Sequence, residues 1–138
     1  SGRIKHYISA FGEHVIGKEV ESALKEAMEG SDIRVNEFTV APQITPTEGL
    51  PYHEWFIEFE NEPINLEDFA LKIDASMHKK NVYYNDLIIE NVLRTLVIKK
   101  KKKNGFQEYM KSIGKLGGQN KLPRLSNDRK IAQFFENK

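Results

Sequence analysis

The sequence predicts an α+β domain: a mostly antiparallel sheet with helices packed on it, with a βαββαβ-like core preceded by a short hairpin. Three observations carry this. Residues 53–60 alternate, with Trp55, Ile57 and Phe59 on one side and Glu54, Glu58 and Glu60 on the other, the period of a half-buried strand. Residues 17–29 and 65–77 repeat their apolar residues at helical spacing instead. At 138 residues, 39% hydrophobic and 30% charged, the chain is one domain's worth and long enough to bury a real core.

In order, residues 4–11 read as a short strand running into Gly12-Glu13, and Val15-Ile16 as its return. Val20, Leu24 and Met28, with Ala23 and Ala27 beside them, give an amphipathic helix stopped by Gly30-Ser31. Residues 33–41 read as a strand ending at Pro42. A rigid loop, APQITPTEGLPY, then spans 41–52, and long ordered loops in compact domains are often functional. The alternating strand follows, with Phe56 breaking its polar side. Asn65 caps a second helix, with Asp68 three residues on and a buried stripe of Leu66, Phe69, Ala70, Ile73 and Met77. Residues 80–90 give no clear period. Residues 91–99 are apolar on both faces, which predicts a central strand. The lysine run 99–103 marks that strand leaving the sheet. Asn104 caps a further helix with the stripe Phe106, Tyr109, Met110 and Ile113, ending before Gly117-Gly118. A Pro-containing loop leads to a short last helix, capped by Ser126 or Asn127, that turns Ile131, Phe134 and Phe135 inward.

Composition narrows the function. The absence of cysteine removes disulfides and thiolate metal sites, and fits a cytoplasmic protein. No apolar run approaches the ~18 residues of a membrane span. A net charge of +1 argues against general nucleic-acid affinity. Histidines 6, 14, 53 and 78 have no ligand-like spacing, so no metal is expected. The acids of the 54/58/60 set read as a solvated strand face rather than a catalytic pair. Ser9, Ser22, Ser112 and Ser126 lack a nucleophile elbow or a base in sequence reach, and no glycine-rich phosphate loop is present; Gly117-Gly118 is a helix stop. What remains is a set of isolated loop cations, Lys5, Lys121, Arg124 and Lys130. They read either as surface charges or as part of a site for an anionic phosphate.

A resemblance bears on that choice. The opening GRIKHYISAFGEHVIGKEVE resembles the hinge motif of adenylate-forming enzymes, in which a Gly-Arg, a hinge residue two positions on, a hairpin turning at Gly and a Glu-containing helix start follow one another. TVAPQITPTEGLPYHEWFIEF, NVYYNDL, LRTLVIKK and GFQEYMKSIGKLGGQNKLPR are similar, in that order, to the auxin-responsive acyl acid amido synthetases and their bacterial relatives. The resemblance implies that residues 1–138 are the C-terminal lid domain of a larger enzyme, with 1–6 as hinge and 117–138 as closing loop and helix. It implies a ligase that adenylates a carboxylic acid with ATP and Mg2+, bound mainly by an N-terminal domain, and then transfers the acyl group to an amino acid. This fragment alone would hold no cofactor and be inactive. Lys5 would be the hinge, and Lys121 or Lys130 the lysine at the phosphates, since neither QNKLPR nor NDRKI places a Gly before its Lys. Arg3, Arg124, Thr45 and Thr47 would bind substrate or phosphate. Its partners would be its own N-terminal domain, a small carboxylic acid and an amino acid, with no nucleic acid and no membrane. The alternative is a non-catalytic ferredoxin-like module that binds RNA or protein. The glutamate-bearing outer face of the strand at 53–60 argues against RNA.

Overall fold

The computed structural model describes residues 7–114 and 122–136. The order of elements is β1 (Tyr7–Ile8), β2 (Val15–Ile16), α1 (Gly17–Met28), β3 (Arg34–Gln43), β4 (Tyr52–Asn61), α2 (Leu66–Lys80), α3 (Val82–Ile89), β5 (Val97–Lys101), α4 (Gly105–Ser112) and α5 (Lys130–Glu136). The α+β class and the mostly antiparallel sheet are as the sequence predicts. The strands divide into two sheets: β1 and β2 form a separate antiparallel hairpin, and β3-β4-β5 form the main sheet, antiparallel then parallel.

Two expectations are corrected. The central strand is β4, not residues 91–99. Residues 91–96 precede the strand as turn and coil, and β5 is an outer strand beside β4. Leu93 and Leu96 are buried from that irregular segment, so apolarity on two faces arose without a strand. Secondly, the glutamates of β4 do not form a solvated face. Glu54 and Glu58 are buried, as is Phe56, because α4, α5 and the segment from Leu122 cover that side. Only Glu60 of the three is exposed.

Both faces of the sheet are therefore covered. On the first, Val20, Ala23 and Leu24 of α1 and Phe69, Ile73 and Met77 of α2 close over Phe38, Val40, Trp55 and Ile57. Phe38 and Trp55 stack with ring centroids 5.8 Å apart. The helices hold each other through polar contacts as well: Ser76 donates to Glu26 at 2.5 Å, with Lys79 at 3.1 Å from the same carboxylate. Those two partners outweigh desolvation and draw the Glu26 carboxyl down to about 2. On the second face Ala41, Phe56, Phe106, Leu122, Ile131 and Ala132 form a smaller apolar cluster.

Asn65 caps α2 by accepting from the Asp68 N–H at 3.0 Å, and Asn81 caps α3 through the Tyr84 N–H at 2.8 Å. Helix α4 ends at Ser112, ahead of Gly114, whose φ of +73° is the left-handed turn glycine adopts readily; Gly117-Gly118 lie outside the described residues. At α5 it is Asp128, not Ser126 or Asn127, whose carboxylate accepts the Lys130 N–H, at 3.0 Å. Among the described residues no helix is long and apolar enough to cross a membrane.

Candidate functional site

The β3–β4 loop end of the main sheet gathers three parts of the chain. Its reference rung is Pro42 opposite His53, one step before Ala41 opposite Glu54. The first part is the leading hairpin. Glu13, just past the turn, is wholly buried and meets His53 Nε2 at 2.7 Å, with His53 only 2% exposed. The same carboxylate accepts the Phe11 N–H at 2.8 Å. Burial pushes the Glu13 carboxyl up, but the hydrogen bond and charge of His53, with backbone N–H groups, outweigh it and hold it below its ordinary value. Asn81 donates to the His14 carbonyl at 3.3 Å and to Glu19 at 3.0 Å, and Asn127 accepts from the Ser9 N–H at 3.1 Å. The hairpin is thus fastened to β4, to the α2–α3 junction and to the segment before α5. Residues 9–14 turn through Gly12, with φ of +91°, and His14, with φ of +47°.

The second part is the segment 122–130. Thr39 donates to the Pro123 carbonyl at 2.8 Å, the Val40 N–H to the Arg124 carbonyl at 2.9 Å, and the Ser126 N–H to the Val40 carbonyl at 3.0 Å. Leu125 bridges Val40 in parallel and is fully buried. This segment extends the sheet past β3 by one bridge and is fixed by backbone bonds on both sides of it. Arg129 continues the attachment: its guanidinium donates to Glu54 at 2.6 Å, to Glu136 at 2.6 Å and to the Pro42 carbonyl at 3.3 Å. The third part is the loop 44–51 itself, which begins two residues beyond Pro42.

The residues expected from sequence fall as follows. Thr45 and Thr47 lie exposed on the loop, with the Thr45 N–H held by Gln43 Oε1 at 3.2 Å. Lys130 is exposed at the start of α5, next to Arg129, and so belongs to the same end of the sheet. Arg124 stands apart. Its guanidinium stacks on Phe38, 4.8 Å from the ring centroid, and it donates to Glu37, to Glu21 at 3.2 Å and to the Phe38 carbonyl at 3.1 Å. Phe38 precedes Pro42 by four strand residues, or ~13 Å. A phosphate reaching Arg124 would have to displace two carboxylates. Arg3, Lys5 and Lys121 lie outside the described residues.

Sequence reasoning missed Arg129, Glu13 and the Asp74 cluster. Asp74 accepts from Tyr84 Oη at 2.5 Å and meets His78 Nε2 at 2.8 Å, and the other His78 nitrogen meets Asn85 Oδ1 at 2.5 Å. Burial, and then the Asp74 charge, push the Tyr84 phenol well above its ordinary value. Such a group is a fixed hydrogen-bond donor, not a proton shuttle. The available signal for Arg129 was Phe56: an aromatic on the polar side of a strand needs a cover, and only the C-terminal segment was left to supply one.

Comparison with known proteins completes the description. A family model described as the GH3 family C-terminal domain matches residues 18–130. The fold is similar to a solved structure of "GH3.15 acyl acid amido synthetase", with TM-score 0.74 and 19% identity, over 96% of this chain and 26% of that one. A second, "AtGH3.15 acyl acid amido synthetase in complex with 2,4-DB", gives TM-score 0.74 and 18% identity, over 98% of this chain and 26% of that one. The chain therefore spans about a quarter of the length of these structures. No curated protein matches the sequence.

Proposed function

The chain belongs to the family of GH3 C-terminal domains, and from that premise we propose that it is the mobile C-terminal domain of an ATP-dependent, cytoplasmic ligase. The enzyme would adenylate a carboxylic acid and pass the acyl group to an amino acid. The observation that carries the reading is the family match across 18–130, in a chain spanning about a quarter of synthetase structures that share its fold. The remaining length of such an enzyme is where ATP and Mg2+ would mainly be held.

In this reading residues 1–6 are the pivot, with Lys5 as the hinge, and the leading hairpin is its mount. A pivot transmits rotation only if the piece beyond it is stiff, and Glu13, Asn81 and Asn127 tie that piece to three elements. Lys121 and Lys130 are the candidates for the phosphates, where a lysine acts by position and charge rather than by covalent chemistry. Thr45 and Thr47 offer hydroxyls at the same end of the sheet as Lys130. Arg3 is a further candidate for substrate or phosphate, and Arg124 fits that role only after a rearrangement that frees it from Glu21 and Glu37. The RNA-binding alternative loses its platform, since Trp55 and Phe56 lie under helices on opposite faces.

The test is acid-dependent ATP–pyrophosphate exchange by the longer protein that carries this domain. Lys121→Ala and Lys130→Ala are compared: one is expected to lose at least about 100-fold in exchange, the loss of a charge that stabilises the transferring group. Exchange left intact by both, or exchange by the 138-residue chain alone, would overturn the proposal.

A further inference from the structure

Lys101 differs from the rest of the lysine run. Lys99 takes Glu54 at 4.0 Å and Lys100 takes Glu62 at 3.1 Å, while Lys102 and Lys103 are exposed. Lys101 is half-buried and has no carboxylate within 4.0 Å among the described residues. Its ammonium lies 4.8 Å from the Phe135 ring centroid and 5.8 Å from that of Phe56, so ring faces, not a carboxylate, meet its charge. Strand alternation puts Lys99, two residues back, on the same side of β5. Burial, and then the charge of Lys99, outweigh Glu54 and hold the Lys101 ammonium below the usual lysine range. The side chain opens on a cavity of about 270 Å³ between the end of β5, the start of α4 and α5, whose other walls are Lys102, Gly105, Glu108, Phe134 and Phe135.

A desolvated lysine beside another cation is the kind of amine that condenses with carbonyl compounds, because more of it is neutral and nucleophilic near pH 7. The rings decide which product suits the place. An acylated Lys101 would be a neutral amide and would forfeit both ring contacts. An iminium ion keeps the positive charge where the ammonium had it, over Phe135 and Phe56. We propose that Lys101 is a covalent capture site for a small aldehyde with an apolar body, held as an iminium ion with that body against Phe134 and Phe135. The neutral Nζ adds to the carbonyl carbon, and the C–N bond forms as the carbonyl oxygen takes up a proton. The hydroxyl so made then leaves as water while the nitrogen lone pair makes the C=N bond. Ammonium and aldehyde thus give iminium and water, with no change of net charge and no oxidant or reductant. Glu108 is the carboxylate in the lining that takes the proton from Nζ, returns it to the departing hydroxyl and then offsets the iminium charge. The volume, below the ~300–1,000 Å³ of drug-sized pockets, suits an aldehyde the size of benzaldehyde. The inference goes beyond the ligase reading and does not depend on it.

The 138-residue chain is incubated with benzaldehyde and sodium cyanoborohydride, which reduces an iminium to a stable benzylamine. Chymotryptic digestion and fragmentation mass spectrometry then give the rate at each lysine. Lys101 is expected to be benzylated faster than Lys100, Lys102 and Lys103, at a rate that saturates with benzaldehyde. Acetaldehyde, which has the carbonyl without the ring, should show much less preference for Lys101. Phe135→Leu should raise the half-saturating benzaldehyde concentration about five- to tenfold, the loss of a cation–π contact. Glu108→Gln, at an exposed position, should slow labelling of Lys101 at least about tenfold, the loss of a proton carrier. Equal labelling along the lysine run, a rate that does not saturate, an equal preference with acetaldehyde, or unchanged labelling in both folded variants would overturn the proposal.

Discussion

The two faces of the three-stranded sheet are built differently. The first is a broad apolar layer in which Trp55, Ile57, Phe69 and Ile73 are buried together, closed at one end by the Glu13–His53 pair. The second has a small apolar centre around Phe56, ringed by charged groups: Glu54, Arg129, Lys99 and Lys101. Neighbouring residues of one strand, Trp55 and Glu54, are both almost wholly buried, yet one faces hydrocarbon and the other a guanidinium. The difference separates two tasks. The first face holds the domain together. The second fixes the C-terminal segment, which carries Lys130 and follows directly on Lys121.

The largest expected effect belongs to the first face. Trp55→Ala removes the largest fully buried side chain and its stacking on Phe38, and should cost about 4 kcal/mol in chemical denaturation. Glu54→Gln should cost less, about 1–2 kcal/mol, because Arg129 keeps Glu136 as a partner and part of its guanidinium is wet. Its sharper signature is local: faster hydrogen exchange in α5 while α1 and α2 stay protected. Equal global losses for the two variants, or uniform exchange, would mean that the faces share one task.

A smaller effect follows from the carboxylates on the first face. Glu26 titrates at about 2 in the folded chain against 4.5 unperturbed, and Glu13 is lowered as well. The folded state then binds fewer protons than the unfolded state. Stability is full above about 4.5 and falls as pH drops toward about 2. Glu26→Gln should flatten the slope of stability against pH within that window and leave it unchanged near neutrality. An equal slope in the variant would remove Glu26 from this account.

The same comparison shows what was legible in the sequence. α1, α2 and β4 were predicted within about three residues: the two helices each have one buried and one wet side with a matching cap or glycine, and β4 keeps the period-2 alternation of a strand although both of its sides are covered. The second face was not legible, because its cover comes from α4, α5 and the segment from Leu122, all far beyond β4 in the chain. Glu54 and Glu58 follow the polar half of a period-2 pattern whether water or a guanidinium meets them. Helix α3 was missed since Val82, Tyr83, Leu87, Ile88 and Ile89 surround it and leave no polar side to give a period. The expected strand at 91–99 drew on Leu93 and Leu96, which reach the core from irregular backbone. Of the candidate site residues, Thr45, Thr47 and Lys130 share one end of the sheet, while Arg124 is committed to Glu37, Glu21 and Phe38. Chain order carried no sign of that pairing.

The central claim is that this domain turns as a rigid body about Lys5 between two half-reactions. In the longer protein, Lys5→Pro fixes φ near ~−65° and removes an N–H, with Lys5→Ala as control for the ammonium group. Acid-dependent pyrophosphate exchange and aminolysis of a supplied acyl-adenylate are measured separately. The account predicts one half-reaction reduced far more than the other by Lys5→Pro, a small effect of Lys5→Ala, and unchanged folding of the domain. Equal losses in both half-reactions, or an alanine variant as impaired as the proline one, would contradict it.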